Sequence, residues 1–134
     1  MIYFDSCALL KFIKREPETD ALRDWRAALP AGTELVTSEL AELEVTRALL
    51  RAGVDHQRVP YFAGQALRGV YRVDVTSTVL ARAKSYLTPR LGTFDSLHLA
   101  SAEPFRKDLT GFVTYDKELA ETAAELRFPV ICPA

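Results

Sequence analysis

Short apolar runs, each cut off by a polar or acidic residue, alternate along this chain with longer stretches of helical periodicity. This alternation constrains the fold more than any other feature. Strands separated by helices need crossover connections, and these produce a mostly parallel sheet with helices on both faces. Ile2-Tyr3-Phe4 ends at Asp5 and reads as a buried strand. Ser6 to Arg15 carries Leu9, Leu10 and Ile13 at helical spacing. Glu16-Pro17 stops it, because the residue before proline is pushed out of helical space. Thr19 is placed to cap a helix through Leu22, Trp25 and Leu29 to Pro30. Leu35-Val36-Thr37 reads as a second strand, and Ser38 as the cap of a long helix that Gly53 ends. Asp55 opens another helix to about Gly69, with Pro60 near its start. Val73-Asp74-Val75 reads as a short strand, and Thr76 caps Val79 to Leu87. Thr93 is placed to cap Phe94 to about Ala102. Gly111 to Tyr115 is a strand, Lys117 to Leu126 a helix, and Pro129-Val130-Ile131 the last strand. No repeat or composition break divides the chain, so residues 1–134 are expected to form one α/β domain.

A chain of 134 residues buries roughly 65–70% of its unfolded surface, enough for a core without disulfides or a structural metal. Cys7 and Cys132 are the only cysteines, and they make neither a disulfide framework nor a zinc motif; both are expected to be small core residues. No apolar run approaches the ~20 residues of a membrane span. The first residues lack the pattern of a signal peptide, so a cytoplasmic location is expected. Lys+Arg is 17 and Asp+Glu is 18, a net charge of -1, which neither advertises nor excludes a nucleic-acid partner.

Four carboxylates attract notice. Asp5 and Asp116 each follow a strand, and parallel strands would bring both to one sheet edge, although either could simply cap the next helix. On the Ser38–Gly53 helix, Glu39, Glu42 and Thr46 form one polar stripe, and Glu44, Arg47 and Arg51 form a second between apolar residues. A helix facing water needs one polar stripe, so the second points at the protein or a cleft. A Glu44–Arg47 pair at i,i+3 is the plain alternative. Asp95 lies in the first turn of its helix, where the dipole favours it, but beside the face of His98, Leu99 and Ala102. Like charges at 4 Å repel by about 4 kcal/mol at an effective dielectric of 20, so four acids sharing a pocket need a cation. Arg47 offers one charge and a divalent ion two. An all-carboxylate set favours Mg²⁺ or Mn²⁺ over zinc. A water on such an ion can attack a phosphodiester while the ion offsets charge on the phosphoryl oxygens.

These segments together resemble a known family. Ile2-Tyr3-Phe4-Asp5-Ser6-Cys7-Ala8-Leu9 resembles the opening strand of PIN-domain proteins, an Asp followed by a small hydroxyl residue. Glu44-Val45-Thr46-Arg47-Ala48-Leu49 resembles the acidic helix motif of the VapC toxins in that family. Thr93 to Ala102 is similar to their third motif, Phe112 to Ala120 to their fourth, and Pro129 to Pro133 to their closing strand. Phe4 and Phe94 stand where Leu is frequent. The resemblance implies a Mg²⁺-dependent endoribonuclease toxin that cleaves structured RNA such as transfer or ribosomal RNA. It implies Asp5 and Asp95 as principal metal ligands, with Glu44 and Asp116 completing the cluster. Ser6 and Thr114 would orient Asp5 and the metal's waters. It also implies homodimers, and a VapB-like antitoxin that blocks the pocket and alone carries the complex to operator DNA.

Among the cations, Lys11, Lys14, Arg15, Arg51, Arg90 and Lys117 read mainly as surface charges, whereas Arg47 is expected to hold Glu44 or meet RNA. His98 reads as a satisfied core histidine before a general base. Leu9, Phe12, Leu22, Trp25 and Leu29 read as core packing, with an antitoxin groove as the alternative; Tyr61, Phe62 and Leu67 offer a second surface. One rival is a catalytically silent PIN-like module that binds RNA or protein, but all the acids are present. Another is a receiver-type phosphotransferase, but no Lys follows the last strand.

Overall fold

The strand that precedes Asp5 lies at the centre of the sheet. The computed structural model describes all 134 residues. Its strands are β1 (Ile2–Phe4), β2 (Leu35–Ser38), β3 (Tyr71–Val73), β4 (Gly111–Val113) and β5 (Val130–Ile131). Its helices are α1 (Ser6–Leu10), α2 (Thr19–Ala27), α3 (Leu40–Arg51), α4 (Val59–Ala66), α5 (Ser77–Ser85), α6 (Thr93–Ala102) and α7 (Lys117–Glu125), with a 3₁₀ turn at Glu103–Phe105. The sheet order is β3-β2-β1-β4-β5 and every pairing is parallel. The chain builds β1 to β3 outward on one side, then returns to add β4 and β5 on the other. The order therefore reverses between β1 and β4, and in open α/β sheets the crevice outside the strand ends at that point is where ligands bind. The order also differs from the 2-1-3-4-5 arrangement of receiver-type sheets, which removes that rival.

Alternation along β1 divides the core. Ile2 and Phe4 face a cluster with Leu9, Leu22 and Val113. Tyr3 faces the opposite cluster, with Phe112, Leu99 of α6, and Leu119 and Ala123 of α7. Phe12 and Trp25 meet Phe4 edge-on at 6.0 and 6.3 Å, so these residues are core packing and not an open groove. Leu67 is likewise buried, while Tyr61 is exposed.

Several expected boundaries move. The helix expected to Arg15 ends at Leu10, and turns follow. Thr19 does not cap α2; its hydroxyl donates to the Lys11 carbonyl and accepts the Glu16 N–H, tying the turn to the helix start. Ser38 ends β2, with its hydroxyl accepting the Leu40 N–H. Asp55 to Arg58 form a turn, and α4 begins at Val59, where Pro60 needs no N–H partner. The strand expected at Val73–Val75 lies at Tyr71–Val73. Gly92, not Thr93, precedes α6 as its cap residue. Thr76 does cap α5 through the Val79 N–H.

Candidate active site

Asp5 leaves β1 in an extended conformation and caps α1, accepting the Ala8 N–H at 2.9 Å. The capping role is fulfilled, yet it leaves much of the carboxylate's capacity free. Thr114, just past β4, donates its hydroxyl to Oδ2 at 2.5 Å. The Cys7 thiol reaches both oxygens at 3.0 Å. Asp5 is only 3% exposed. Burial pushes its acidity weaker than usual, against the pull of His98 and of the Cys7, Thr114 and Ala8 donors. Burial and the Asp5 charge push the Cys7 thiol far up, so it stays protonated and donates.

Thr114 also accepts the Asp116 N–H at 3.1 Å, linking the two strand ends. Asp116 caps α7 through the Leu119 N–H at 2.9 Å and is otherwise exposed. Asp95 stands half-buried in the first turn of α6. Its carboxyl is pushed from 3.8 up to about 6, first by burial, then by the charge of Asp116, with Asp5 and Glu44 adding and His98 opposing. Each of the other three carboxylates is thus close enough to be felt at Asp95. Glu44 projects from α3 toward the same place and accepts from His98 Nε2 at 2.6 Å. No lysine or arginine pairs with any of the four. A cleft of about 550 Å³, lined by Glu44, Gly92, Thr93, Phe94 and Asp95, opens beside two of them, Glu44 and Asp95.

The PIN domain matches residues 2–125. Ribonuclease VapC35 of Mycobacterium tuberculosis is 36% identical over 137 residues, covering 99% of this chain and 97% of that protein. The chain is a PIN-domain protein of the VapC type. Solved structures of that type share its fold at low identity. Mycobacterium tuberculosis VapC20, described as a sarcin-ricin loop cleaving toxin, superposes with a TM-score of 0.73 at 16% identity, covering 91% of this chain and 95% of its own. VapBC2 from Rickettsia felis, bound to a DNA fragment from their promoter, gives 0.69 at 14% identity and full coverage of both chains.

In this VapC-type chain the expected supporting residues divide. Thr114 contacts Asp5 as expected, but Ser6 makes no bond to it; Ser6 lines a separate small cavity with Cys7, Glu44 and Arg51. The thiol of Cys7 takes the place expected for Ser6. Cys7 is therefore no inert core residue, and Cys132 is exposed. Arg47 does not hold Glu44. It is exposed, lining a cavity of about 330 Å³ with Leu43, Glu44, Arg51 and Phe94, and His98 takes its expected partner. His98 is buried as expected, but it is part of the site through Glu44. Lys11 is buried and paired with Glu16 and Glu18 at 2.9 Å, away from any phosphate, whereas Arg15 pairs with Asp20 on the exposed surface. Cys7 at i+2 from Asp5, and His98 at i+3 from Asp95, were visible as spacings; their partners were not.

The four acids offer oxygen donors, while the Cys7 thiol is engaged with Asp5 and His98 Nε2 with Glu44. No three His, Cys, Asp or Glu side chains are grouped tightly enough to make a ready cage.

Proposed function

We propose that this chain is a Mg²⁺-dependent endoribonuclease, with Mn²⁺ able to substitute, and the toxin half of a toxin–antitoxin pair. The observation that carries the reading is the carboxylate cluster, without a lysine or arginine partner, at the reversal of the strand order, in which Asp95 is raised to about 6 beside Asp116, Asp5 and Glu44. A site of that charge is poor at drawing in a phosphate until a divalent ion joins it. Asp5 and Asp95 would hold the ion most directly, with Glu44 and Asp116 reaching it through water. When bound, the ion supplies Lewis-acid charge at the phosphoryl oxygen and lowers the pKa of water.

The chain's own part is placement. The donors on Asp5 fix its carboxylate before any ion arrives, so little reorganisation is left for the reaction. The exposed Arg47 and Arg51 sit on the side of Glu44 that faces solvent and would take phosphates flanking the cut, positioning the RNA without reading it. Structured RNA, transfer or ribosomal, is the proposed substrate. A VapB-like antitoxin is the proposed partner and would carry the complex to operator DNA. The exposed Leu80 and Leu87 supply apolar surface that a second copy would cover in a homodimer. No helix is long and apolar enough to cross a membrane.

Sequencing of RNA ends after induced expression tests the reading. Discrete new ends are expected from the parent chain and none from Asp5→Asn. Identical ends from a folded Asp5→Asn protein would refute it.

A further inference from the structure

Beneath the acidic layer lies a second, buried layer carried by the same elements, one structural period deeper. Tyr3 precedes Asp5 by two residues, the strand repeat, and Asp5 continues the extended backbone just past β1. His98 follows Asp95 by three residues, nearly one turn along α6. The two meet: the Tyr3 hydroxyl lies 2.8 Å from His98 Nδ1. The other ring nitrogen, Nε2, lies 2.6 Å from Glu44 Oε1. Tyr3 is 0% exposed and His98 1%, whereas Glu44 keeps 21% of its side chain open to the cleft. The chain of contacts therefore runs from the interior outward and ends on an acid of the site.

We propose that Tyr3 and His98 are positioning residues that aim Glu44 at the carboxylate cluster, His98 by presenting Nε2–H to it and Tyr3 by holding the ring.

Three observations converge on this. First, a carboxylate can only accept, so the short contact to Glu44 requires the hydrogen on Nε2. Second, the Tyr3 hydroxyl meets Nδ1, a contact that turning the ring over would break, so the Nε2 edge stays toward Glu44. Tyr3 is itself fully buried and stacked on Phe112 at 5.1 Å with 6° between the rings. Its neighbour across the β1–β4 register is that same Phe112, two residues before Thr114, which fixes Asp5. One buried unit thus sets Glu44 from below while the layer above it sets Asp5. Third, Glu44 has no other polar partner: Arg47, its neighbour on α3, turns outward. Without His98, a half-buried carboxylate would be left to find its own rotamer. The unit spans β1, α6 and α3, so it also holds the spacing of the elements that bear Asp5, Asp95 and Glu44.

The inference rests on the ribonuclease reading for its kinetic part, so the test combines readouts that separate the two. Nitrogen-15 spectra of the histidine rings in the ion-free protein are expected to place a hydrogen on His98 Nε2. In Tyr3→Phe, which keeps the stacked ring, that preference is expected to weaken, Mn²⁺ affinity to fall about 10-fold, and kcat to fall about 10-fold with KM for RNA little changed. His98→Leu is expected to lose about 10–100-fold in kcat, and His98→Gln, whose amide can still donate to Glu44, to recover much of it. In a Glu44→Gln background, Tyr3→Phe is expected to add nothing. A bare Nε2 in the parent protein, or a lowered melting temperature in Tyr3→Phe with unchanged kcat and Mn²⁺ affinity, would overturn the proposal. Should the parent protein cleave no RNA, the ribonuclease reading fails, and the ring spectra and Mn²⁺ affinities still decide the positioning role. Tyr3→Phe, differing by one oxygen, keeps the test available whether or not His98→Leu folds.

Discussion

Asp5 directly follows β1 and Asp116 lies three residues past the neighbouring parallel β4, and both cap the helix that follows. Their surroundings are opposite. Asp5 is buried and held by a backbone N–H, a thiol and a hydroxyl, while Asp116 is exposed and its carboxylate has a single backbone partner. Thr114 stands between them, donating to one carboxylate and accepting the backbone N–H of the other. The same local device, an aspartate at a strand end, yields a fixed anchor where the sheet interior surrounds it and an adjustable edge where solvent does. Rigidity at this site comes from tertiary surroundings, not from the cap.

The contrast can be broken from the anchored side first. Asp5→Asn keeps a capping oxygen, since Asn and Asp cap about equally well, but loses the charge. RNA cleavage is expected to fall about 10³-fold while the melting temperature is retained, as a cleavage assay beside thermal melting would show. Thr114→Val removes the donor that couples the two strand ends and leaves the Asp116 N–H without its partner. A loss of about 10–100-fold in activity is expected, the usual cost of removing a group that orients a ligand. At the open side, Asp116→Asn is expected to cost about 10-fold or less, because water and side-chain movement can compensate there. Asp116→Ala should cost a further stability decrement of about 1 kcal/mol from the lost cap, measurable by denaturant unfolding. An Asp116→Asn protein as inactive as Asp5→Asn would erase the distinction between anchor and edge.

The smallest effect is a pH dependence. Burial and the neighbouring acids hold Asp95 near 6 in the folded protein, above its ordinary 3.8. The folded state therefore binds that proton more tightly than the unfolded state does. The stabilisation is fully present below about pH 4 and is lost as pH rises through about 6. In ion-free protein, Asp95→Asn should gain melting temperature relative to the parent chain between about pH 4.5 and pH 7. A difference that does not change with pH would place Asp95 outside the cluster.

Much of this site was legible because apolar runs stop abruptly at acids. Asp5 and Asp116 were marked by the strands before them, and Glu44 by a second polar stripe that a solvent-facing helix does not need. The partners were not legible. Glu44 has a cation three residues away on its own helix, but its actual partner lies 54 residues further along the chain. Nothing local distinguishes an i,i+3 pair from a tertiary one when both are sterically open. Cys7 was read as filler because a thiol near an aspartate signals nothing until burial makes it a donor. The edge strand β3 was misplaced because Tyr71 and Arg72 are exposed, leaving no apolar run to mark it. Thr19 and Thr93 fit the cap pattern in sequence, yet Thr19 is occupied with Lys11 and Glu16, and Thr93 is already inside α6.

The central claim is that these scattered carboxylates form one site for a hard divalent ion, with Asp5 as its fixed point. A Mn²⁺ titration of the folded protein, followed by water-proton relaxation and run in parallel on Asp5→Asn, tests it most directly. Saturable binding in the parent chain that Mg²⁺ displaces, and its loss in a variant of equal melting temperature, is the expected result. Equal binding by both proteins, or none by the parent at millimolar ion, would contradict it.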